Sequence, residues 1–271
     1  MSEALDIGPD SPDVVYEVRD GVCVLTLNRP SRMNAWTPGM EVALRAAFER
    51  AEADPEVRVL LLTGAGRAFC AGADMDSAEG DADNAMKAPP AREGDFAQRY
   101  SYLMGGGKPL IAAINGGAAG VGLVLALFAD IRIARAGAKM TTSFARRGFV
   151  AEHGAAWLLQ RLVGPMTAAD LLLSGRIFLG TEAAALGLCR VLPDAGFAEA
   201  ALAVAQEMAA SCSPRSMAVI KAQLRAAWGQ TLAEATRMAE RELEACIATP
   251  DMAEGVRSYL EKRPPNFPPL Y

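Results

Sequence analysis

Gly66-Arg67-Ala68-Phe69-Cys70-Ala71-Gly72-Ala73-Asp74 follows, after Ala65, on the apolar run Val57-Arg58-Val59-Leu60-Leu61-Leu62-Thr63-Gly64. The same order of events returns about fifty residues later, as an architectural echo rather than a strict repeat. There Pro109-Leu110-Ile111-Ala112-Ala113-Ile114 runs into Asn115-Gly116, and then into Gly117-Ala118-Ala119-Gly120-Val121-Gly122. A short apolar run ended by glycine reads as a buried strand. Each run then delivers a loop of small residues into a helix start, where main-chain N–H groups lack intrahelical acceptors and attract negative charge. Two readings of these loops stand side by side. They are tight turns that let helices pack closely on strands, or they bring two N–H groups to an oxygen that becomes anionic during a reaction.

Working outward, the alternating segments 14–18 and 22–27 flank Asp20-Gly21, which is a hairpin signal. Thr37-Pro38 opens a helix through about Ala53, with Glu41 in its first turns. Residues 76–95 are polar, acidic and Pro-containing, which reads as a mobile surface loop. A helix is expected over Phe96–Met104. The segment from Val121 to Ala129 is apolar on every side and reads as a buried helix, with a strand after it at residues 131–134. From Glu199 onward the chain reads as helical, with a break at Ser211-Cys212-Ser213-Pro214 and the Pro-rich finish Arg263-Pro264-Pro265-Asn266-Phe267-Pro268-Pro269-Leu270-Tyr271. The division expected is a strand–helix core over 1–200 and an α-helical C-terminal region over 201–271.

The 271 residues are 51% hydrophobic and 22% charged, a composition for a folded chain rather than a disordered one. A net charge of −5 argues against nucleic acid as a partner, because phosphate binding needs a basic footprint. Without a long apolar run or an apolar leader, neither a membrane span nor a secretory signal is expected. The five cysteines are scattered and form no CxxC, which suits reduced thiols in the cytoplasm. A single histidine, His153, removes any site that needs several imidazoles, so no metal is expected. Gly105-Gly106-Gly107-Lys108 is followed by Pro109, not by Ser or Thr, and is no phosphate-binding Walker loop. The 117–122 segment lacks the spacing of a dinucleotide fingerprint, so no cofactor is expected there.

Taken jointly, Asn28-Arg29-Pro30 with Asn34-Ala35, the 66–74 segment, and Lys108-Pro109 through Asn115-Gly116 resemble the crotonase (enoyl-CoA hydratase/isomerase) superfamily. Ala129-Asp130, Leu173-Ser174-Gly175-Arg176 and Ala184 with Gly187-Leu188-Cys189 continue the resemblance in the same order. It covers the chain from about Val14 onward. The resemblance implies an α/β fold, a spiral of ββα turns with an α-helical C-terminal region that builds homotrimers or dimers of trimers. It also implies an acyl-CoA thioester as substrate, with coenzyme A entering only as part of that substrate. Carried over by position, the amides of Ala73 and Val121 match the two oxyanion-hole donors. The main chain around Ala71, Gly72 and Ala73 matches the segment that hydrogen-bonds adenine, and Lys262 lies where relatives place basic residues near the CoA phosphates. Phe144 is a candidate for the acyl wall and equally for the core.

The chain departs from the hydratase pattern at both of its glutamates, whose positions fall on Val124 and Phe144. Neither side chain moves a proton, whereas hydration must activate water and protonate carbon. One acid remains nearby: Glu152 matches the position at which some isomerases of the superfamily carry their base. The alternative for Glu152 is a charge at the positive end of the helix that follows. The favoured activity is 3,2-enoyl-CoA isomerisation through Glu152. Hydration of a 2-enoyl-CoA at a non-standard site, a non-catalytic CoA-ester binding protein, and a diketone carbon–carbon hydrolase are the alternatives. Asp74 and Asp130 read as structural, and His153 reads as packed or exposed rather than catalytic.

Overall fold

The computed structural model describes residues 12–75 and 93–270; most of the 76–95 stretch lies outside them. Strands β1 (Val14–Arg19) and β2 (Val22–Leu27) pair antiparallel, turning through Asp20-Gly21, both with positive φ. Helix α1 (Pro38–Ala53) follows; its Thr37 cap accepts from the Met40 amide at 3.2 Å, and Pro38 occupies the first turn where no donor is needed. Strands β3 (Val59–Gly64), β5 (Leu110–Ile114), β7 (Ile131–Arg135) and β10 (Arg190–Leu192) extend the sheet in parallel, giving the order β1-β2-β3-β5-β7-β10. β3 and β5 are buried along nearly their whole length, as the continuous apolar runs require.

The glycine segments hold more regular structure than their sequence announces. Residues of both form three-residue strands, β4 (Ala68–Cys70) and β6 (Gly117–Ala119), which join β8 (Lys139–Thr141) and β9 (Phe178–Leu179) in a second sheet, order β4-β6-β8-β9. Three residues carry too short a pattern for alternation to register. Helix α3 (Val121–Leu127) follows β6 and is buried on every side. A Cβ on Gly122 would overlap the Cys70 carbonyl, so glycine is what lets this helix start sit against β4.

The expected helix over Phe96–Met104 is instead a series of turns followed by the short helix α2 (Tyr102–Gly105). The reason is a side-chain demand. Arg99 and Tyr100, adjacent in sequence, both reach Glu41, and consecutive residues of a helix do not face one target.

Helices α4 (Ala155–Val163) and α5 (Pro165–Ser174) pack against each other, and α6 (Gly180–Ala185) leads into β10. Helix α7 (Phe197–Ser211) covers one face of the large sheet, setting Phe197, Ala201, Ala205 and Ala209 against Val59, Leu61, Ile111 and Ile133. Helices α8 (Pro214–Ala226), α9 (Leu232–Ile247) and α10 (Pro250–Glu261) complete the chain. A buried Lys221 ties α8 to the core: its ammonium meets Asp130 at 2.7 Å and the Lys108 carbonyl at 2.8 Å. Asp130 also accepts the Leu110 amide at 2.7 Å, a structural role. The five cysteines are free thiols, with Cys23 and Cys70 fully buried.

Gly122→Ala forces a methyl group into the backbone of β4, where no flexible side chain can give way. Overpacking of this kind costs about 1–3 kcal/mol. Urea denaturation of the variant is expected to show a loss of that size, whereas Gly148→Ala, with open space around its Cβ position, should lose only what its positive φ demands.

Candidate active site

The two small-residue turns open into one cavity of about 150 Å³. On the first turn, residue 73 forms a parallel bridge with Trp36. Trp36 donates its amide to the Gly72 carbonyl at 2.7 Å and accepts the Asp74 amide at 2.9 Å. In a parallel bridge this consumes the groups of the flanking residues and turns the Ala73 N–H to the opposite side. Buried Asp74 fixes the turn through Arg29 at 2.9 Å and Arg32 at 3.5 Å. On the second turn, Gly120 takes φ 49° and ψ −124°, a conformation for glycine. Val121 then begins α3, so its N–H has no acceptor within the helix. Ala71, Gly72, Ala73, Val121, Phe144 and Glu152 all line this cavity. Lys262 does not; it is exposed at the end of α10. The Ala71 amide is already committed to the Met33 carbonyl at 3.1 Å.

Of the two hydratase glutamate positions, Phe144 is part of the cavity wall and Val124 is buried in the hydrophobic core. Glu152 is half-buried at the cavity edge. It does not cap α4: the helix begins from Gly154, no side chain caps it, and it is the Glu152 carbonyl that accepts the Ala155 amide at 2.9 Å. The carboxylate is therefore left to the cavity. Burial raises its pKa above the ordinary carboxylate range, and the Arg99 guanidinium partly offsets that rise.

A network invisible to spacing surrounds this acid. Arg99 chelates Glu41, with Nε at 2.8 Å and Nη2 at 2.6 Å from Oε2. The Tyr100 hydroxyl donates to the same oxygen at 3.1 Å and accepts the Trp36 indole N–H at 2.9 Å. His153 lays its ring edgewise on Tyr100, centroids 4.7 Å apart, with Nε2 3.6 Å from Glu152 Oε2. Trp36, Arg99, Tyr100 and His153 are cavity residues; Glu41 stands behind them. Its partners lie 58 and 59 residues away in sequence, and no motif links them.

Burial, reinforced by Arg99, pushes the His153 imidazole down to about 4. The unfolded chain binds this proton below about pH 6.5 while the folded chain refuses it until near 4. This contribution to stability is thus intact above pH 6.5 and is lost as the pH falls. Between pH 7 and pH 5 it amounts to about 2 kcal/mol. Urea denaturation at both pH values should show the wild type losing that much more than His153→Asn, which has no imidazole to titrate.

Residues 17–269 match the family described as enoyl-CoA hydratase/isomerase. The chain is 35% identical to a probable enoyl-CoA hydratase of Rhodobacter capsulatus over 93% of its own length and 96% of that protein's. It is 34% identical to the 1,2-epoxyphenylacetyl-CoA isomerase of Escherichia coli, over 94% and 97% respectively. Its fold superposes on the crystal structure of a probable enoyl-CoA hydratase/isomerase from Mycobacterium abscessus with a TM-score of 0.84, at 37% identity, covering 95% of this chain and 99% of that one. The chain belongs to the enoyl-CoA hydratase/isomerase family, the acyl-CoA enzymes of the crotonase superfamily.

Proposed function

We propose that this enzyme moves the double bond of a 3-enoyl-CoA to the 2-position, with Glu152 as its single base. The observation that carries the reading is the cavity's carboxylate inventory. Glu152 is the described acid of its lining that is free of an arginine ion pair; Asp74 is held by Arg29 and Arg32. Val124 and Phe144 supply no second proton carrier. Isomerisation needs one. Glu152 takes the proton from C2, and the C–H electron pair enters a dienolate whose charge rests on the thioester oxygen. The N–H groups of Ala73 and Val121 donate to that oxygen as an oxyanion hole. The protonated Glu152 then returns the same proton at C4, leaving the double bond between C2 and C3. No atom is gained or lost.

The raised pKa of Glu152 suits this task, since a more basic carboxylate takes a carbon-bound proton more readily. Phe144 and Phe149 give the acyl group an apolar wall. The carbonyl of Ala71 and the main chain at Gly72 and Ala73 are assigned to the adenine of CoA, the Ala71 amide being occupied. The relatives named hydratases favour water addition as a second reading, so both substrates belong in the assay. We assign the cytoplasm as its compartment and a trimer, or a pair of trimers, as its assembly. In support of the assembly, the C-terminal helices expose Leu224, Leu243, Ile247 and Leu260 to solvent in the single chain, a surface that a partner copy would cover.

Purified enzyme is expected to convert 3-hexenoyl-CoA, and Glu152→Gln to lower that rate roughly 10²–10⁴-fold. The rate should fall on the acid side with an apparent pKa above the ordinary glutamate value of about 4.3, because the base must be ionised. Hydration of 2-hexenoyl-CoA at a comparable rate, unchanged by the substitution, would overturn the assignment. Sedimentation equilibrium checks the assembly; a monomer at micromolar concentration sinks it.

A further inference from the structure

His153 carries backbone strain that its position alone does not explain. It has φ 52°, in the left-handed region that residues with a Cβ seldom occupy, and Gly154 follows at φ 80°. Two successive left-handed residues separate Glu152 from the first residue of α4, and they turn the chain so that the Glu152 side chain faces the cavity instead of the helix axis. Asparagine or glycine would hold such a turn with less strain. What histidine adds is a ring. That ring packs on Tyr100 at 4.7 Å with an interplanar angle of 82°. Tyr100 cannot yield, because its hydroxyl is fixed between Trp36 and Glu41, and Glu41 is fixed by Arg99. Strained residues held this firmly recur where geometry serves function.

We propose that His153 is a positioning residue for Glu152: its imidazole, wedged on the immobile Tyr100 ring, holds the left-handed turn that keeps the carboxylate aimed at the substrate. This rests on Glu152 being the base. His153 itself transfers no proton in the scheme. Its neutral ring makes the 3.6 Å approach to Glu152 Oε2 a packing contact at neutral pH, not an ion pair.

The test uses the full chain and 3-hexenoyl-CoA, with His153→Asn and His153→Gly, both of which tolerate positive φ. Each is expected to lower kcat at least tenfold and leave KM within twofold, with a thermal midpoint at neutral pH no lower than wild type. A purely structural role would instead lower the midpoint, and a substrate contact would raise KM; either result overturns the proposal, as does a kcat within twofold of wild type. Tyr100→Leu should lower kcat similarly, and combining it with His153→Asn should add little further loss. Independent, multiplying losses would break the proposed link. Glu152→Gln runs alongside. If it is inactive while His153→Asn is fully active, the positioning role alone fails; if Glu152→Gln keeps its rate, the base assignment fails and takes the positioning role with it.

Discussion

The contact of a helix start with the backbone of a neighbouring strand is the constraint on which the rest of the molecule depends. Gly122, in the first turn of α3, lies against the Cys70 carbonyl of β4 with no space for a methyl group between them. That contact sets two turns from separate repeats of the fold side by side. The cavity follows from it: Ala73 and Val121 belong to the two turns, and both residues line the same space.

The charges around this backbone frame form a graded series. Arg99 faces Glu152 but spends its hydrogen bonds on Glu41, 2.6 Å away. It therefore moderates the burial of Glu152 without forming the close ion pair that would hold its proton affinity low. Asp74, by contrast, sits beside two arginines and serves as an anchor for the first turn. Two carboxylates thus share one cavity with different environments, and the difference comes from which cation each touches.

How much of this could be read in the sequence depends on the range of the interaction. The hairpin at Asp20-Gly21, the Thr37-Pro38 helix start, the buried strands and each of the two glycine-rich turns were legible, because each is written in adjacent residues. Glu152 was legible as a candidate; that its side chain makes no capping hydrogen bond to α4 is a detail the sequence did not carry. The second sheet was not legible, since its strands are only two or three residues long, too short for an alternating pattern to register. Nor was the Trp36–Tyr100–Glu41–Arg99 cluster. A helix pattern suggested itself over residues 96–104, and only the three-dimensional demand of a shared acceptor on α1 overrides it.

Lys108 and Lys221 are both 4% exposed, and both ammonium groups are held by carbonyl oxygens inside the protein. Lys139 and Lys262 lie in water. Of these four described lysines, reagents that couple to primary amines from solution will therefore find the second pair and pass over the first. Among the described lysines, a surface-immobilised or dye-tagged preparation would carry its attachments at Lys139, on the second sheet, and Lys262, beyond the last helix, with Lys108 and Lys221 untouched.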